Sequence, residues 1–327
     1  MSGNFGAARF FVALLAIVIA AALPNFAARA QTIGKTARIV VPYPPGGTAD
    51  TLSRIIGLEI GHMSGQLMLT ENRPGANTVI ATEFVSRAVS DGSTLLLMAD
   101  SFVINPTVRP TLPYDPFAFT PICLLVNSPQ VMVVNANSPY KTLGSFVMAA
   151  KARPGELNYA AVGPATTQHI TGEMFERAAE INLTYVPYTG GGPAVMSILG
   201  GHVNAVFANY NEVMGHIAVG RLRPLAVASR ARLPDLPDVP TMKESGYKHI
   251  ETTAWFGVLA PPKTPRETVG LLIAQFKSAL AAPEVRAKLI AQGLYPVALC
   301  GDEFAVHIRQ QYDRYARIIR ESNIRFD

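Results

Sequence analysis

Apolar, β-rich runs alternate with segments of helical period along almost the whole chain, and no other pattern in the sequence excludes so many architectures. Arg38-Ile39-Val40-Val41 reads as a buried strand, and Leu52, Ile55, Ile56, Ile60 and Met63 then recur at the spacing of one helix face. A strand at 66–70, a helix at 77–88, an Asp91-Gly92 turn and a strand at 94–99 follow. Two β-rich runs between 121 and 135, broken at Ser128-Pro129, lead into a helix at 143–152. In a second series, strands at 157–162, 183–186 and 203–208 alternate with helices at 167–179 and 193–199, and a short helix ending at Gly220 precedes a strand at 225–229. Beyond a turn-rich stretch at 233–240 come a strand at 254–260, helices at 265–280 and 283–292, a strand at 295–299 and a last helix at 302–321. Strands separated by helices need crossover connections, which implies a mainly parallel sheet covered on both faces. The 327 residues are enough for two such α/β units.

The N-terminus bears on the compartment. Arg9 precedes the apolar run 10–23, whose 14 residues would rise about 21 Å as a helix against a hydrocarbon core of about 30 Å. Ala28-Arg29-Ala30 then places small residues where a signal peptidase reads them, so cleavage is expected after Ala30, leaving an exported chain, periplasmic where the cell has an outer membrane. Removing Arg9 and Arg29 lowers the formal charge from +5 to +3, too small a surplus to suggest a nucleic-acid partner. Cys123 and Cys300 could pair in an oxidising compartment, or serve as small buried hydrophobes in their separate strand-like contexts. The six His residues show no metal-binding spacing, and neither a Gly-Xaa-Ser-Xaa-Gly elbow nor a paired-carboxylate motif is present. No cofactor or metal is expected.

Several short strings then become readable together: Pro42-Tyr43-Pro44-Pro45-Gly46-Gly47-Thr48-Ala49-Asp50, Glu71-Asn72-Arg73-Pro74-Gly75-Ala76, Leu112-Pro113-Tyr114-Asp115-Pro116, Val186-Pro187-Tyr188, Gly192-Pro193-Ala194 and Pro237-Asp238-Val239-Pro240-Thr241. In this order and spacing the chain resembles the Bug-type, TctC-like substrate-binding receptors of tripartite tricarboxylate transporters. The resemblance implies an α/β, two-lobed periplasmic binding protein of type II, a Venus flytrap in which each lobe is a doubly wound sheet flanked by helices. Lobe I would comprise 31–125 and 229–327 and lobe II 126–228, after a signal peptide at 1–30. It also implies a monomer that holds a small organic carboxylate, a di- or tricarboxylate or an aromatic acid, and delivers it to the membrane subunits of a transporter. A receptor signalling to a membrane sensor kinase, or an enzyme on the same bilobal fold, are the alternatives.

Two segments share one grammar of strand, Gly turn, hydroxyl residue and helix. In the first, Gly46 and Gly47 permit a sharp turn, Thr48 is a candidate N-cap, and Asp50 suits the positive end of the helix dipole. In the second, Gly163, Ala165, Thr166, Thr167 and His169 follow the strand ending at Val162. Facing each other at the carboxyl ends of their strands, such turns can cradle a carboxylate on free N–H groups, although each also reads as an ordinary capped turn. By the resemblance, Gly47, Thr48, Ala49 and Asp50 in one lobe and the 163–169 loop in the other contact the ligand through amides and hydroxyls. Tyr43 and Ser101 lie at strand ends facing the same cleft, and Tyr188 is a further candidate ligand contact; Gly190-Gly191-Gly192-Pro193 serves structure or binding equally, and Trp255 packs the core or the hinge. The chain departs from the family pattern at Thr189, in place of Lys after Val-Pro-Tyr188, and at Ala208, in place of Asp. Losing that carboxylate favours a plain carboxylic acid over an amino acid, with Asn209 and Tyr210 as candidate substitutes.

The intact mass of the secreted protein should correspond to a chain beginning at Gln31; a mature mass that still includes residues 10–23 contradicts both processing and export.

Overall fold

The computed structural model describes residues 34–109 and 111–321, so the expected cleavage point lies outside the described residues. Strand β1 (Thr36–Val41) leads through a turn into helix α1 (Thr48–Ser64), and β2 (Leu67–Asn72) returns parallel to β1 with Thr36 opposite Leu67. Gly65 closes α1 in the left-handed conformation at φ 70°, its N–H bonded to the Gly61 carbonyl, as a helix C-terminus favours. After α2 (Val79–Ser86), the fully buried β3 (Thr94–Met98) pairs parallel on the other side of β1.

The same arrangement recurs later in the chain. Helix α4 (Leu143–Ala152) precedes β5 (Asn158–Val162), α5 (Thr167–Ala179), β6 (Thr184–Tyr188), α6 (Gly191–Leu199) and β7 (Ala205–Asn209). Here β6 and β7 flank β5 in parallel, as β2 and β3 flank β1. Helix α7 (Tyr210–Ala218) and β8 (Leu222–Val227) follow. The chain then returns to the first sheet through β9 (Thr253–Ala260), α8 (Arg266–Ala281), α9 (Pro283–Ile290) and β10 (Tyr295–Cys300), and ends in α10 (Asp302–Glu321).

Strand β4 (Thr120–Asn135) joins the two sheets, giving the strand order β2-β1-β3-β9-β4-β7-β5-β6. It runs without interruption through Ser128-Pro129, where two separate runs were expected. Pro129 is tolerated because it stands where β4 changes neighbours: its partner Thr253 is the last in the β9 ladder, and Gln130 opens the ladder to β7. A missing N–H at such a handover forfeits little. β9 and β10 pair antiparallel with β4 in one sheet, β7 and β8 in the other. The sheet is therefore mixed, with a parallel trio at each end, and not mainly parallel as the alternation suggested. Alternation identifies helical crossovers, but it does not report the direction of a strand that arrives from a distant segment.

Both faces of each sheet are covered, as strands with continuous apolar runs require. Ile39 and Val41 belong to one core and Val40 to the core on the opposite face; Met132 and Val134 likewise divide from Val131 and Val133. Each such side chain contributes about 1.5–3 kcal/mol on full burial. Trp255, on β9, lies in the core, edge-to-face with Phe304 of α10 at 5.7 Å. Helix α10 buries Phe304, Ile308 and Tyr315 and turns Arg309, Arg317 and Arg320 outward, the basic face over an apolar stripe that its sequence spells. Among the described residues no helix is long and apolar enough to cross a membrane. Helix α3 (Ser101–Val108) was not foreseen, since it has only eight residues and carries Pro106.

Cys123 on β4 and Cys300 on β10 sit opposite each other in the antiparallel ladder and form a disulfide, which decides between pairing and service as free thiols. The link spans a sequence separation of 177 and ties the end of the chain to the strand that both sheets share. Closing so long a loop restricts the unfolded ensemble, typically by about 2–4 kcal/mol of stability. Reduction, or the double substitution Cys123→Ala and Cys300→Ala, should lower the melting temperature by several degrees; an unchanged melt would remove the disulfide from the account of stability.

Candidate functional site

The carboxyl ends of β1 and β5 bring two turns toward one another. Gly46 takes φ 85°, a conformation that glycine adopts without strain, and Gly47 is the N-cap of α1. Thr48 is therefore the first helical residue and not the cap. Gly47 offers α1 no capping side chain; the Thr48 N–H faces the Glu212 carboxyl across the cleft instead. The Thr48 hydroxyl is turned across the cleft: it accepts from Asn209 Nδ2 at 3.0 Å and lies 2.9 Å from both Asn211 Oδ1 and Glu212 Oε1, to one of which it donates its single proton. Asp50 faces away from this contact. It accepts from the Gly46 N–H at 3.0 Å and from Arg54 at 2.9 and 3.1 Å; burial raises its carboxyl, but these donors outweigh it and hold the group below the usual range.

The second turn is built differently. Gly163 takes φ 46° and Ala165 φ 54°, and Thr166 caps α5 by accepting from the His169 N–H. The Thr166 hydroxyl also lies close to the Val162 carbonyl and 3.1 Å from that of Gly163. Thr167 approaches the Tyr315 hydroxyl at 3.4 Å, and Tyr315 donates to Asp100 Oδ1 at 2.8 Å, while Asp100 Oδ2 accepts from the Trp255 N–H. Burial pushes the Asp100 carboxyl up to about 6 against these hydrogen bonds. A third helix start, α6, begins at Gly190 with no side-chain cap.

These segments enclose a cavity of about 40 Å³, lined from the first half by Tyr43, Gly47, Thr48, Ala49 and Ser101 and from the second by Thr166, Thr167 and Asn209. Beside it, sharing Tyr43, Pro44 and Val162, lies a groove of about 540 Å³ lined by Gly75 to Thr78, Gly163 and Tyr188. Expected site residues thus divide three ways. The eight above meet in the cavity, Gly163 and Tyr188 face the groove, and Asp50, Ala165 and His169 line neither. Ala165 packs into the core, and His169 is buried with its ring stacked on Tyr185 at 4.1 Å. Ser101 opens α3 and does not end a strand; its hydroxyl lies 3.3 Å from that of Tyr43.

Asp100, Gln168 and Glu212 line the cavity and were missed. Glu212 was legible in principle, because it stands in the first turn of a helix after a strand end, as Asp50 does. Burial pushes its carboxyl up, opposed by Thr48 and Asn209. No Lys, Arg or His lines the cavity, so an anion there would be held by amides, hydroxyls and helix ends rather than by a buried cation. Among the described residues no group of three or more His, Cys, Asp and Glu is placed to hold a metal ion.

Residues 52–324 match the family described as "Tripartite tricarboxylate transporter family receptor". The chain belongs to this receptor family. BugT of Bordetella pertussis strain Tohama I is 33% identical over 288 residues, covering 87% of this chain and 88% of that protein. Among solved structures, Rpa4515 of R. palustris with adipate is 29% identical with a TM-score of 0.86, covering 89% of this chain and 98% of the other. MatC of Rhodopseudomonas palustris with bound malate is 28% identical with a TM-score of 0.81, covering 87% and 98%. The receptor accordingly has the two-lobed fold of periplasmic binding proteins.

In this receptor His169 is a packing residue, and burial depresses its pKa to about 4. The unfolded chain takes up that proton near pH 6.5, so the contribution of the neutral ring is fully present above that value and is lost as pH falls from about 6.5 toward 4. His169→Phe, which keeps the stack on Tyr185, should therefore gain on the order of 2 kcal/mol relative to wild type between pH 7 and pH 5. Parallel chemical denaturation at the two pH values measures this, and equal losses in both proteins would contradict it.

Proposed function

We propose that this receptor captures a small organic carboxylate between its two lobes and delivers it to the membrane subunits of a tripartite tricarboxylate transporter. The observation that carries the reading is the convergence, in one cavity, of the starts of α1 and α5 from opposite halves, with hydroxyls and amides around them, the Asp100 and Glu212 carboxyls beside them and no basic side chain. Helix starts attract anions at about 0.3–2 kcal/mol per contact, a moderate hold that lets the ligand leave again. The adipate and malate bound by its structural relatives support the ligand class.

On this reading lobe I, residues 31–125 and 229–327, closes on lobe II, residues 126–228, around the cavity. Thr48 reaching Asn209 and Glu212 is the contact that closure would make. The protein works as a monomer in the periplasm after loss of its signal peptide, needs no cofactor, and returns its ligand chemically unchanged.

A thermal screen of mono-, di- and tricarboxylates, aromatic acids and their amides tests the proposal. A binding acid at about 100 times its dissociation constant should add close to 2.7 kcal/mol to stability, and the corresponding amide should bind several-fold to about thirtyfold more weakly. A Cβ at Gly47 meets only the Pro44 carbonyl at 3.8 Å, so Gly47→Val should leave the unliganded melt nearly intact while filling the cavity and abolishing the shift. Amides that stabilise as well as acids, or product accumulating in the incubation, would sink the receptor reading.

A further inference from the structure

The cavity has two chemical characters. Helix starts and hydroxyls line one side, and on the other stands Glu212, in the first turn of α7, whose carboxyl faces both the N–H and the hydroxyl of Thr48. Its Oε1 accepts from Asn209 at 3.3 Å and lies 2.9 Å from the Thr48 hydroxyl, whereas Oε2 is enclosed and has no hydrogen-bond partner. The other carboxylate lining the cavity, Asp100, has both oxygens engaged by Tyr315 and Trp255. Of the carboxylate oxygens lining this cavity, Glu212 Oε2 is therefore the one without a donor, and enclosing it so is costly.

The surroundings hold that carboxylate in place. A Cβ on Gly191 would stand 2.2–2.3 Å from the Glu212 carboxyl carbon and both its oxygens, so glycine at the start of α6 leaves the space that the group occupies. With no Lys, Arg or His on the cavity wall, nothing there supplies a positive charge to Oε2. A ligand can. A second carboxylate brought beside it would instead meet like charge.

We propose that Glu212 selects ligands that carry, besides a carboxylate, a hydrogen-bond donor close to it, so that the receptor prefers amino- or hydroxy-carboxylates over the plain acids of the same skeleton. An ammonium fits best, since it neutralises Glu212 as well as donating to it; a hydroxyl donates without that charge. The absence of Asp at position 208 thus does not argue against an amino acid: Ala208 is packed in the core, and Glu212 supplies the carboxylate from one helical turn further on. This inference rests on the receptor reading above.

The test uses three sets of probes that differ at one carbon: succinate, malate and aspartate; glutarate, 2-hydroxyglutarate and glutamate; adipate, 2-hydroxyadipate and 2-aminoadipate. Calorimetric affinities are measured for wild type, Glu212→Gln and Gly191→Ala, with unliganded melts as the check on folding. In the set that binds, the wild type should favour the ammonium- or hydroxyl-bearing member at least tenfold over the plain diacid. Glu212→Gln should reduce an ammonium preference to less than about threefold and spare more of a hydroxyl preference. Gly191→Ala keeps the charge but displaces the carboxylate, and should erode the preference as well; it decides the matter if Glu212→Gln does not fold. A plain diacid that binds wild type as tightly as its substituted partners, or a preference unchanged in both variants, overturns the inference while leaving the receptor reading standing. A plain diacid that binds more tightly as pH falls and is weakened by Glu212→Gln also overturns it, since a protonated Glu212 would then be the donor. If no member of any set binds, the inference as stated for these skeletons falls, while the receptor reading is decided by the wider thermal screen of tricarboxylates, monocarboxylates and aromatic acids.

Discussion

One strand holds the molecule together. β4 contributes its first ten residues to one sheet and its last six to the other, pairing with β9 and β10 before Gln130 and with β7 and β8 after it. Each parallel trio can therefore keep its own two cores, while the trios remain connected through backbone hydrogen bonds rather than through a loose linker. The Cys123–Cys300 disulfide sits on this same strand, and through β10 and α10 it anchors the Tyr315 hydroxyl near Asp100 and Thr167. What is structural in β4 thus reaches the wall of the cleft within a few contacts.

The cleft gains its character from what its walls lack. A buried guanidinium would bind a carboxylate strongly, but desolvating it is costly and it would hold the ligand fast. Beside the Asp100 and Glu212 carboxyls, this receptor's cavity is lined instead with hydroxyls, amides and helix starts. Such groups are individually weak, and their combined effect depends on the two halves being close enough for all of them to act at once. On the proposed reading binding and closure would then be linked, because a ligand that reaches only one helix start gains only part of the available energy.

The same geometry separates two acidic residues that are alike in sequence. Asp50 and Glu212 each stand in the first turn of a helix after a strand. Asp50 has Arg54 one turn on and the Gly46 N–H behind it, so it is neutralised locally and closes its own turn. Glu212 has no Lys or Arg within a helical turn; it lies opposite Thr48, more than 160 positions away in the chain, and beside a glycine that leaves it room. The helix-start rule identifies both residues and cannot rank them, because the difference lies in partners that only folding brings near.

The sequence by itself determined the succession of elements apart from α3 and the unbroken β4, the α4 and α5 boundaries at 143–152 and 167–179, the amphipathic last helix, and the 47–49 and 166–167 segments as candidates for one site. These follow from local rules, since periodicity reports which face is buried and glycine or hydroxyl residues mark where a turn gives way to a helix. Tertiary structure decided the direction of the central strands, the continuity of β4 through Pro129, the pairing of the two cysteines, the burial of His169 against Tyr185 and the entry of Glu212 into the cavity. Each of these depends on a partner distant in the chain. Local pattern states that a residue is buried or caps a turn, whereas the identity of the atom it meets is set by how the sheets pair and pack.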